Sequence, residues 1–508
     1  MSSASIDPAA APARGVAAAD VPPVPGGNLF LRVFPSIMLP MFLAALDQTI
    51  VATALPAIVG ELGDVERISW IVVSYLVAST IAAPVYGRLG DVLGRKRMMF
   101  LALSVFIAAS VLCAAAASVI MLALARILQG LGGGGLMTLS QALIGESVPP
   151  RQRGKYQGYL SATFVCASTF GPVAGGYLTQ HFGWQSVFLV NLPLGLVAVG
   201  LAMRLPRMHV GGGRLQFDIW GTLFFAAFVV PLLLALEQAQ RFDLAVLPAM
   251  AALLAAAAGA LVLLLRQERR APAPLLPLAL FRQAAIWRTD LMAACLAGAT
   301  ISLITFVPVY LQVVRGTSPS ETGLLLLPLT AGIGVGSLFT GRMIAATGRT
   351  TIFPEIGLSF SLGLSIAFAL LAPRLSLGVL PWLLGVTALS FGTGMPVVQM
   401  TVQTIAGPKF LGAAAASVQF SRSIGAALGT AMVATVLFAV LSRTDRDTAA
   451  HFADIMQRGT QVLVQLPQER RAIVQAQIAD AFRAAFLMIA GFAGCGLALS
   501  WAIPLKRL

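Results

Sequence analysis

The sequence predicts an all-α integral membrane protein with fourteen transmembrane helices, arranged as two six-helix halves plus two inserted helices. Charged residues make up 11% of the 508-residue chain, whereas soluble domains carry about 25%, and the mean hydropathy is +0.86. Fourteen apolar runs are long enough to cross a bilayer, and short motifs of the first half return in the second. These features exclude a soluble globular protein and predict a multi-pass membrane architecture.

The apolar runs mostly reach about 20 residues or more, the length of helix that spans a hydrocarbon core of about 30 Å. The expected helices, numbered 1 to 14 in chain order, cover residues 32–58, 68–88, 97–117, 119–146, 153–179, 184–204, 216–237, 244–266, 287–313, 321–345, 351–372, 378–405, 411–441 and 481–503.

Most of the 34 Lys and Arg residues lie in connections on one side of these helices, which predicts that this side is cytoplasmic. An even number of helices then places both termini there. We expect residues 1–30 to form a disordered cytoplasmic tail without a cleavable signal peptide, so that helix 1 acts as an uncleaved insertion signal. Because topology accounts for the basic residues, we expect no nucleic acid as a partner.

Two motifs recur between distant parts of the chain. GRLGDVLGR at Gly87–Arg95 returns as GRMIAATGR at Gly341–Arg349, and PRQRG at 150–154 is echoed by PKFLG at 408–412. These offsets map helices 2–5 onto helices 10–13. They predict an N-terminal half at 31–205, inserted helices 7 and 8 at 206–270, and a C-terminal half at 271–508 with an outer loop at 442–480. Parallel six-helix repeats of this kind build the major facilitator architecture.

Asp47 is the one carboxylate that we expect deep in the membrane, within LPMFLAALDQTIVATALPAI of helix 1. A charge at that depth costs about 2.5–3.5 kcal/mol on insertion scales, so such residues face a cavity or a partner. Asp47 lies about 22 Å along helix 1 from the inner side, and Arg126 lies about 10 Å along helix 4 from the outer side. These heights are similar in a core about 30 Å thick. They predict an ion pair that breaks when Asp47 is protonated, with a permanent structural salt bridge as the alternative.

The segment GRLGDVLGRKR is expected to form a cytoplasmic loop between helices 2 and 3. Its glycines permit tight turning, and its charges can pair with helix ends across the interface between the halves. The segment closely resembles the signature loop of the major facilitator superfamily. Ala345 stands in the second copy where the first has an acid, so only the first copy can form a charged latch. The gating residues expected here are Gly87, Asp91, Gly94, Arg95 and Lys96.

Further motifs resemble the fourteen-helix drug:proton antiporter family of this superfamily. The resemblance matches Arg126, in ALARILQGLGGGG, to an arginine associated with proton coupling. TFGPVAGGYL resembles the antiporter motif of exporters, with Gly171, Pro172, Gly175 and Gly176 as its residues, although such residues also serve helix kinks and close packing in general. LDQTIVATALP, FGWQSVFLVNLPLG and YLQVVRGTSPSETGLLLLP resemble helices 1, 6 and 9–10 of the family. Gly130, Gly132 and Gly135 spell a dinucleotide-type pattern, but no strand precedes them, and close helix packing is the expectation.

A translocation path needs a few polar groups on otherwise apolar walls. Arg422 is the most informative candidate, because a midplane cation without an evident acid can meet an anionic substrate group, helix carbonyls or Asp47. The expected cavity residues are Gln48, Thr49, Trp70, Tyr75, Gln129, Tyr310, Gln312, Gln399, Gln403, Gln419 and Arg422.

The residues and the resemblance together predict a proton-coupled exporter of lipophilic small molecules, not an enzyme. The expected location is the bacterial cytoplasmic membrane, and the expected partners are a small-molecule substrate, protons and membrane lipid, with a monomer as the transport unit. No metal or cofactor is expected, since three scattered histidines (His181, His209, His451) and four cysteines (Cys113, Cys166, Cys295, Cys495) form no cluster.

Several alternatives stay open at this stage. The protein could instead be a dedicated exporter of one metabolite, siderophore or lipid, or a non-transporting sensor with a transporter fold. Loop 442–480 has helical spacing and mixed charge. It is expected to form one or two surface helices, either as a solvated cap or as a docking site for a periplasmic adaptor protein.

Overall fold

The computed structural model describes residues 33–64, 67–205, 217–240, 246–458 and 467–504, which lie almost entirely in helices. Within these ranges, fourteen long helices follow one another as α1 to α14: Phe34–Leu62, Ser69–Leu93, Arg95–Ala114, Val119–Ser147, Pro150–Phe182, Ser186–Met203, Ile219–Gln238, Leu247–Arg270, Ala284–Val313, Pro319–Thr347, Ile352–Leu371, Leu380–Ala406, Leu411–Thr444 and Gln468–Trp501. The tail expected at residues 1–30 lies outside the described residues.

These helices correspond one to one with the fourteen expected from the apolar runs. Thirteen of those described are long and apolar enough to cross a membrane, judged by length and composition. The remaining one is α5, which has 33 residues but carries the polar stretch PRQRGKYQ in its first turns. The largest difference in a boundary is at α14, which begins thirteen residues before the expected start because the amphipathic stretch from Gln468 continues the same helix.

Two groups of helices each have their own apolar core. Helices α1–α6, here called the N-terminal half, pack mainly through α2 on α4, α1 on α5 and α3 on α4. Helices α9–α14, the C-terminal half, pack through α10 on α12, α9 on α13 and α11 on α14. The halves meet where α5 lies against α10 and α13 lies against α2.

The inserted helices α7 and α8 pair with each other beside the contact of α2 with α13. Phe225 and Phe228 of α7 place their rings 5.2 Å and 6.3 Å from the ring of Phe420 on α13. Val77 and Ile81 of α2 pack against the same cluster. The inserted pair therefore covers one side of the seam between the halves.

The bundle has two ends, named here after the connections that mark them. Gly63 follows α1 at one end, and Gly94 separates α2 from α3 at the other. The segment expected as a loop is almost entirely helical: only Gly94 breaks it, with a φ of +90°, which a glycine adopts without a steric penalty. A one-residue turn brings the charges of the motif onto the ends of two helices.

The halves touch closely at the Gly94 end. A Cβ atom on Gly87 of α2 would lie 2.6 Å from the carbonyl oxygen of Gly412 on α13, closer than real Cβ contacts allow. A Cβ atom on Gly341 of α10 would meet Gly154 of α5 in the same way, 3.1 Å from its carbonyl carbon. The two contacts join residues from the two repeated motifs, so the repeats in the sequence coincide with the crossing points of the halves.

Between the end of α13 and the start of α14, the outer-loop region contains one separate helix, Arg446–Arg458, among its described residues, and residues 459–466 lie outside them. Ala449, Phe452 and Ile455 are buried against α14, and the Phe452 ring lies 6.2 Å from that of Phe482. This surface helix therefore rests its apolar face on the C-terminal half.

Candidate ion-pair site and central cavity

Asp47 of α1 and Arg126 of α4 form an ion pair inside the N-terminal half. An Asp47 Oδ2 to Arg126 guanidinium distance of 2.5 Å joins side chains that are 0% and 1% exposed. The two residues, which the sequence places at similar heights in the membrane, are in direct contact in the structure. A bond between two ionised partners is about twice as strong as a neutral hydrogen bond, and the pairing offsets the cost of burying each charge.

Two amides complete the surroundings of the carboxylate. Gln129 Nε2 and Asn191 Nδ2 both donate to Asp47 Oδ1, at 2.8 Å and 2.9 Å. Gln129 lies one turn after Arg126 on α4, and Asn191 lies at the break in α6. The ionised carboxylate therefore accepts bonds from three donors on two helices besides its own.

The guanidinium of Arg126 is held in one orientation by α2 and α4. It donates to the carbonyl oxygen of Ile71 at 3.2 Å and to Gln129 Oε1 at 2.7 Å. Its Cζ lies 4.1 Å from the centre of the Tyr75 ring, and the Tyr75 hydroxyl donates to the carbonyl oxygen of Ala44 on α1. This cation–π contact stabilises the positive charge of Arg126 independently of Asp47.

Sequence reasoning missed three members of this network. Asn191 bonds to Asp47, Ser110 of α3 accepts from Gln129 at 2.9 Å, and Cys113 donates to Gln129 Oε1 at 3.3 Å. The signal for Asn191 was present, because it is an amide flanked by the apolar stretches VFLV and LPLG in the quoted FGWQSVFLVNLPLG motif. Ser110 and Cys113 are too common in membrane helices to stand out.

Asp91 connects the two halves at the Gly94 end. Its carboxylate accepts the backbone N–H of Gly412, the second residue of α13, at 3.1 Å and 3.2 Å. Arg95 bonds to Asp91 at 2.7 Å and to Glu146 of α4 at 2.5 Å. An acid at a helix N-terminus is stabilised by free N–H groups and by the helix dipole. We call the Asp91–Gly412 contact the latch.

Lys96 bonds to the end of α6 and takes no part in the latch. Its ammonium group donates to the carbonyl oxygens of Met203 and Leu205, at 2.7 Å and 2.6 Å. Since these carbonyls lie at the C-terminus of α6, Lys96 caps that helix.

The expected antiporter motif lies where α5 packs on α1. A Cβ on Gly171 would lie 3.3 Å from the backbone N of Ile50, and one on Gly175 would lie 2.9 Å from the Ile50 side chain. Gly176 faces open space, and Pro172 sits within the continuous helix α5. The motif thus sets the separation of α5 from the turn of α1 that follows Asp47.

A cavity lies between the halves, with walls from α5, α9, α10, α12 and α13 and single residues of α1 and α4. Its lining residues are Met41, Gln141, Gln157, Leu160, Ser161, Phe164, Val165, Ser168, Ala293, Leu296, Ala297, Thr300, Ile301, Ile304, Thr330, Ile333, Met395, Val398, Gln399, Val418 and Arg422. Two of the expected cavity residues, Gln399 and Arg422, are among them.

The other expected cavity residues lie elsewhere. Tyr75 and Gln129 belong to the ion-pair network, and Gln403 and Gln419 join the halves through Gln141 O and Met137 Sδ. Thr49 bonds within α1 and to α5, and Trp70 is 57% exposed in a lateral groove beside α7. Tyr310 packs among the rings of Phe368, Phe482 and Phe486. Gln48 and Gln312 are half-buried.

Asp290 of α9 is a buried carboxylate that sequence reasoning missed. It is 4% exposed; Oδ1 accepts from Ser417 at 3.4 Å, and Oδ2 has no protein partner. Its neighbour Arg288 made this stretch resemble the end of a membrane helix. Asp290 does not line the cavity, which begins one turn further along α9 at Ala293.

Comparison with known proteins identifies the family. Residues 37–430 match the family model described as Major Facilitator Superfamily. An uncharacterized MFS-type transporter of Mycobacterium tuberculosis is 33% identical over 463 residues, which cover 90% of this chain and 66% of the relative's length. The multidrug transporter protein MdtP of Bacillus subtilis is 33% identical over 79% of this chain and 74% of its own.

Solved structures agree with the fold. The human organic anion transporter MFSD10 (TETRAN) superposes with a TM-score of 0.64 at 16% identity, covering 92% of this chain and 99% of its own. The proton:xylose symporter XylE gives 0.63 at 14% identity, covering 94% and 97%. At these identities the likeness concerns the fold alone. The chain is a multi-pass membrane protein of the Major Facilitator Superfamily, and hence a transporter and not an enzyme.

Proposed function

We propose that the protein is a proton-coupled secondary active exporter of lipophilic small molecules, a drug:proton antiporter that works by alternating access with Asp47 as the proton carrier. The observation that carries the proposal is the fully buried Asp47–Arg126 ion pair, in which the carboxylate also accepts bonds from Gln129 and Asn191. Membrane carboxylates with this degree of burial mark ion and proton pathways.

Protonation of Asp47 changes the contacts of four side chains at once. A neutral carboxyl group loses the charge that attracts Arg126, while Arg126 keeps the Ile71 carbonyl and the Tyr75 ring. The ionised and protonated forms therefore favour different arrangements of α1 against α2 and α4. A proton shifts a conformational equilibrium by its difference in affinity for the two states, which is the requirement for coupling.

The distribution of Lys and Arg supports an orientation with the Gly94 end and both termini in the cytoplasm of a bacterium. The latch and the glycine contacts hold that end closed, so this conformer would receive a proton from outside. Opening of the Gly94 end would separate Asp91 from Gly412, release the proton into the cytoplasm and admit substrate from there. The relative named multidrug transporter protein MdtP supports drug-like substrates.

Proton flux in proteoliposomes tests the proposal. The protein is reconstituted with a pH-sensitive dye inside, and gradients of lipophilic anionic, neutral and cationic compounds are applied in turn. We expect at least one compound to drive proton movement in the wild type. Asp47→Asn should reduce this flux to that of empty liposomes, because an amide keeps the size of the side chain but binds no proton.

Asp64→Asn is the matched control, since Asp64 is an exposed acid paired with Arg67 beyond the end of α1. It should retain wild-type flux. Undiminished flux in Asp47→Asn would refute the assignment of the proton carrier, and no flux with any compound in the wild type would refute antiport. The breadth of accepted compounds separates a multidrug exporter from a dedicated exporter of one metabolite.

A further inference from the structure

We infer that the central cavity accepts a lipophilic organic anion and that Arg422 is its counter-ion. This inference rests on the proposed function and specifies the substrate class of the same transporter. Three independent features of the cavity wall carry it: an unpaired cation, buried donors without partners, and the absence of acids from the lining.

The cation is Arg422, two turns of helix before Thr430 on α13. It is half-buried on the cavity wall, and its Cζ lies 5.5 Å from the centre of the Phe164 ring on α5. No ion pair to Arg422 occurs within the described part of the chain. Arg126 is 1% exposed and forms an ion pair with Asp47. Arg422, in contrast, retains unused N–H donors on a planar guanidinium, a geometry that suits carboxylates and sulfonates.

Two amides add further donors to the same wall. Gln157 of α5 is 3% exposed and Gln399 of α12 is 4% exposed, and the Nε2 atom of each lacks a protein partner. Buried polar groups normally have partners, so these nitrogens mark positions where a ligand acceptor would fit. Gln141 contributes one acceptor, an unpartnered Oε1, and the Thr300 hydroxyl can act in either sense.

Acids do not counterbalance this set of donors. None of the lining residues is Asp or Glu. Asp47 is occupied by Arg126, Gln129 and Asn191, and Asp290 lies one turn beyond the lining residue Ala293. The cavity thus has a formal charge of +1 on otherwise neutral walls, which stabilises an anion and repels a cation.

The rest of the wall suits an apolar body. Leu160, Phe164, Leu296, Ile304 and Ile333 are among its lining residues, and apolar walls with a few polar groups are typical of small-molecule sites. A ligand with an aromatic body and one anionic group would place the body on these side chains and the anion at Arg422, Gln157 and Gln399.

Three pyrene compounds with fixed charges test the inference: pyrene-1-sulfonate, the neutral 1-pyrenemethanol and the trimethyl(1-pyrenylmethyl)ammonium cation. They share one aromatic body and carry no titratable group near neutral pH, so they move no protons by themselves. The readouts are proton flux in proteoliposomes and, independently of transport, the rise in the apparent unfolding midpoint of the purified protein on adding each compound.

We expect the wild type to respond to the sulfonate more strongly than to the cation in both readouts. Arg422→Gln should weaken the response to the sulfonate about tenfold, the size expected for losing a hydrogen bond to a charged group, and leave the alcohol unchanged. Arg422→Lys should retain part of the response. Arg342→Gln, which removes an exposed arginine of α10, is the matched control and should behave as wild type.

The outcomes separate the inference from the proposed function. A wild type that responds to the cation as strongly as to the sulfonate, or a sulfonate response that survives in Arg422→Gln, overturns the inference even if proton-coupled transport is intact. Flux that persists in Asp47→Asn overturns proton coupling through Asp47, while the stabilisation by pyrene-1-sulfonate still decides the question of charge.

Discussion

In the N-terminal half the buried charges are paired, whereas in the C-terminal half they stand alone. Asp47 and Arg126 bond to each other and to two amides. In the other half, the position 258 residues after Arg126 is Leu384, buried beside Phe368 and Phe486. The charges of that half, Arg422 and Asp290, have no ion-pair partner within the described ranges.

The contacts that cross between the halves show a similar difference. Gly87 meets Gly412 and Gly341 meets Gly154, yet only the first crossing has a latch. Part of the reason is Ala345 in place of Asp91. The rest is helix geometry: Gly412 is the second residue of α13 and has a free N–H, while Gly154 is the fifth residue of α5, where the N–H is used within the helix.

This difference suggests a division of labour within the repeated fold. A network that is satisfied in one protonation state and disrupted in the other can act as a switch, and it lies in the N-terminal half. The cavity takes its unpaired cation, Arg422, from the C-terminal half, whereas both halves supply unpartnered amides, Gln141 and Gln157 from one and Gln399 from the other.

Arg126→Leu makes the N-terminal half resemble the other half at that position. It leaves Asp47 as a buried charge without its counter-ion, which costs about 3–5 kcal/mol when a buried pair is broken. We expect an apparent unfolding midpoint in detergent several degrees below that of the wild type, together with the loss of proton-coupled transport.

The double variant Asp47→Leu/Arg126→Leu separates charge from packing. It removes both ions, so its unfolding midpoint should lie above that of Arg126→Leu, although transport stays absent. Additive losses in the double-mutant cycle would contradict an energetic coupling between the two residues. A wild-type midpoint in Arg126→Leu would show that the pair contributes nothing to the folded state.

Asp91→Ala removes the latch and gives the first crossing the residue type of the second. One hydrogen-bonded charge at a helix N-terminus contributes about 0.5–2 kcal/mol, so the population with an open Gly94 end should rise several-fold. Spin labels at positions 97 and 409, where Arg97 and Lys409 are exposed near this end, report the separation of the halves by double electron–electron resonance. The exposed Cys166 and Cys495 are first replaced by serine.

Ala345→Asp is the reciprocal change and should not rescue Asp91→Ala. The new carboxylate would find no free N–H at Gly154, since that residue lies beyond the first four of α5. An equal distance distribution in Asp91→Ala and the wild type would mean that glycine packing alone closes the Gly94 end. Restoration by Ala345→Asp would mean that charge matters and helix position does not.

Asp47 and Arg126 could be predicted from the sequence because each is a charge in an apolar run, and counting residues from the helix ends gives its height. Arg422 was evident for the same reason. Ser110, Gln141 and Gln157 were not, because neutral polar residues are common in membrane helices and only the rotation of each helix decides which of them meet.

Asp290 shows a second limit of the sequence. It lies seven residues into α9, but the expected helix began at 287 and Arg288 made the stretch resemble a membrane boundary. The gating segment was expected as a loop for a related reason: its charges and glycines resemble a turn, yet all but Gly94 continue helices. Boundaries read from hydropathy alone shift where helices extend beyond the apolar core.

The surface helix Arg446–Arg458 belongs to the C-terminal half alone, and a change there should affect only local stability. Desolvation raises the pKa of Asp445, but bonds from the Asp447 N–H and the Thr448 hydroxyl and the charge of Arg470 outweigh it, so the pKa lies below its usual value. A lowered folded-state pKa stabilises the fold above the usual aspartate range. That stabilisation is lost as the pH falls below this range and through the lowered folded-state pKa.

Asp445→Asn should therefore reproduce at pH 7 the loosening that acid causes in the wild type. We expect faster amide hydrogen exchange confined to Arg446–Arg458, with unchanged exchange in α1–α6 and unchanged transport. Asp447→Asn is the matched control, because its carboxylate is exposed and 3.6 Å from Arg470. Equal exchange in the two variants would show that the helix is held by Phe452 and its apolar neighbours alone, and a transport defect in Asp445→Asn would extend the functional role of the C-terminal half beyond the cavity.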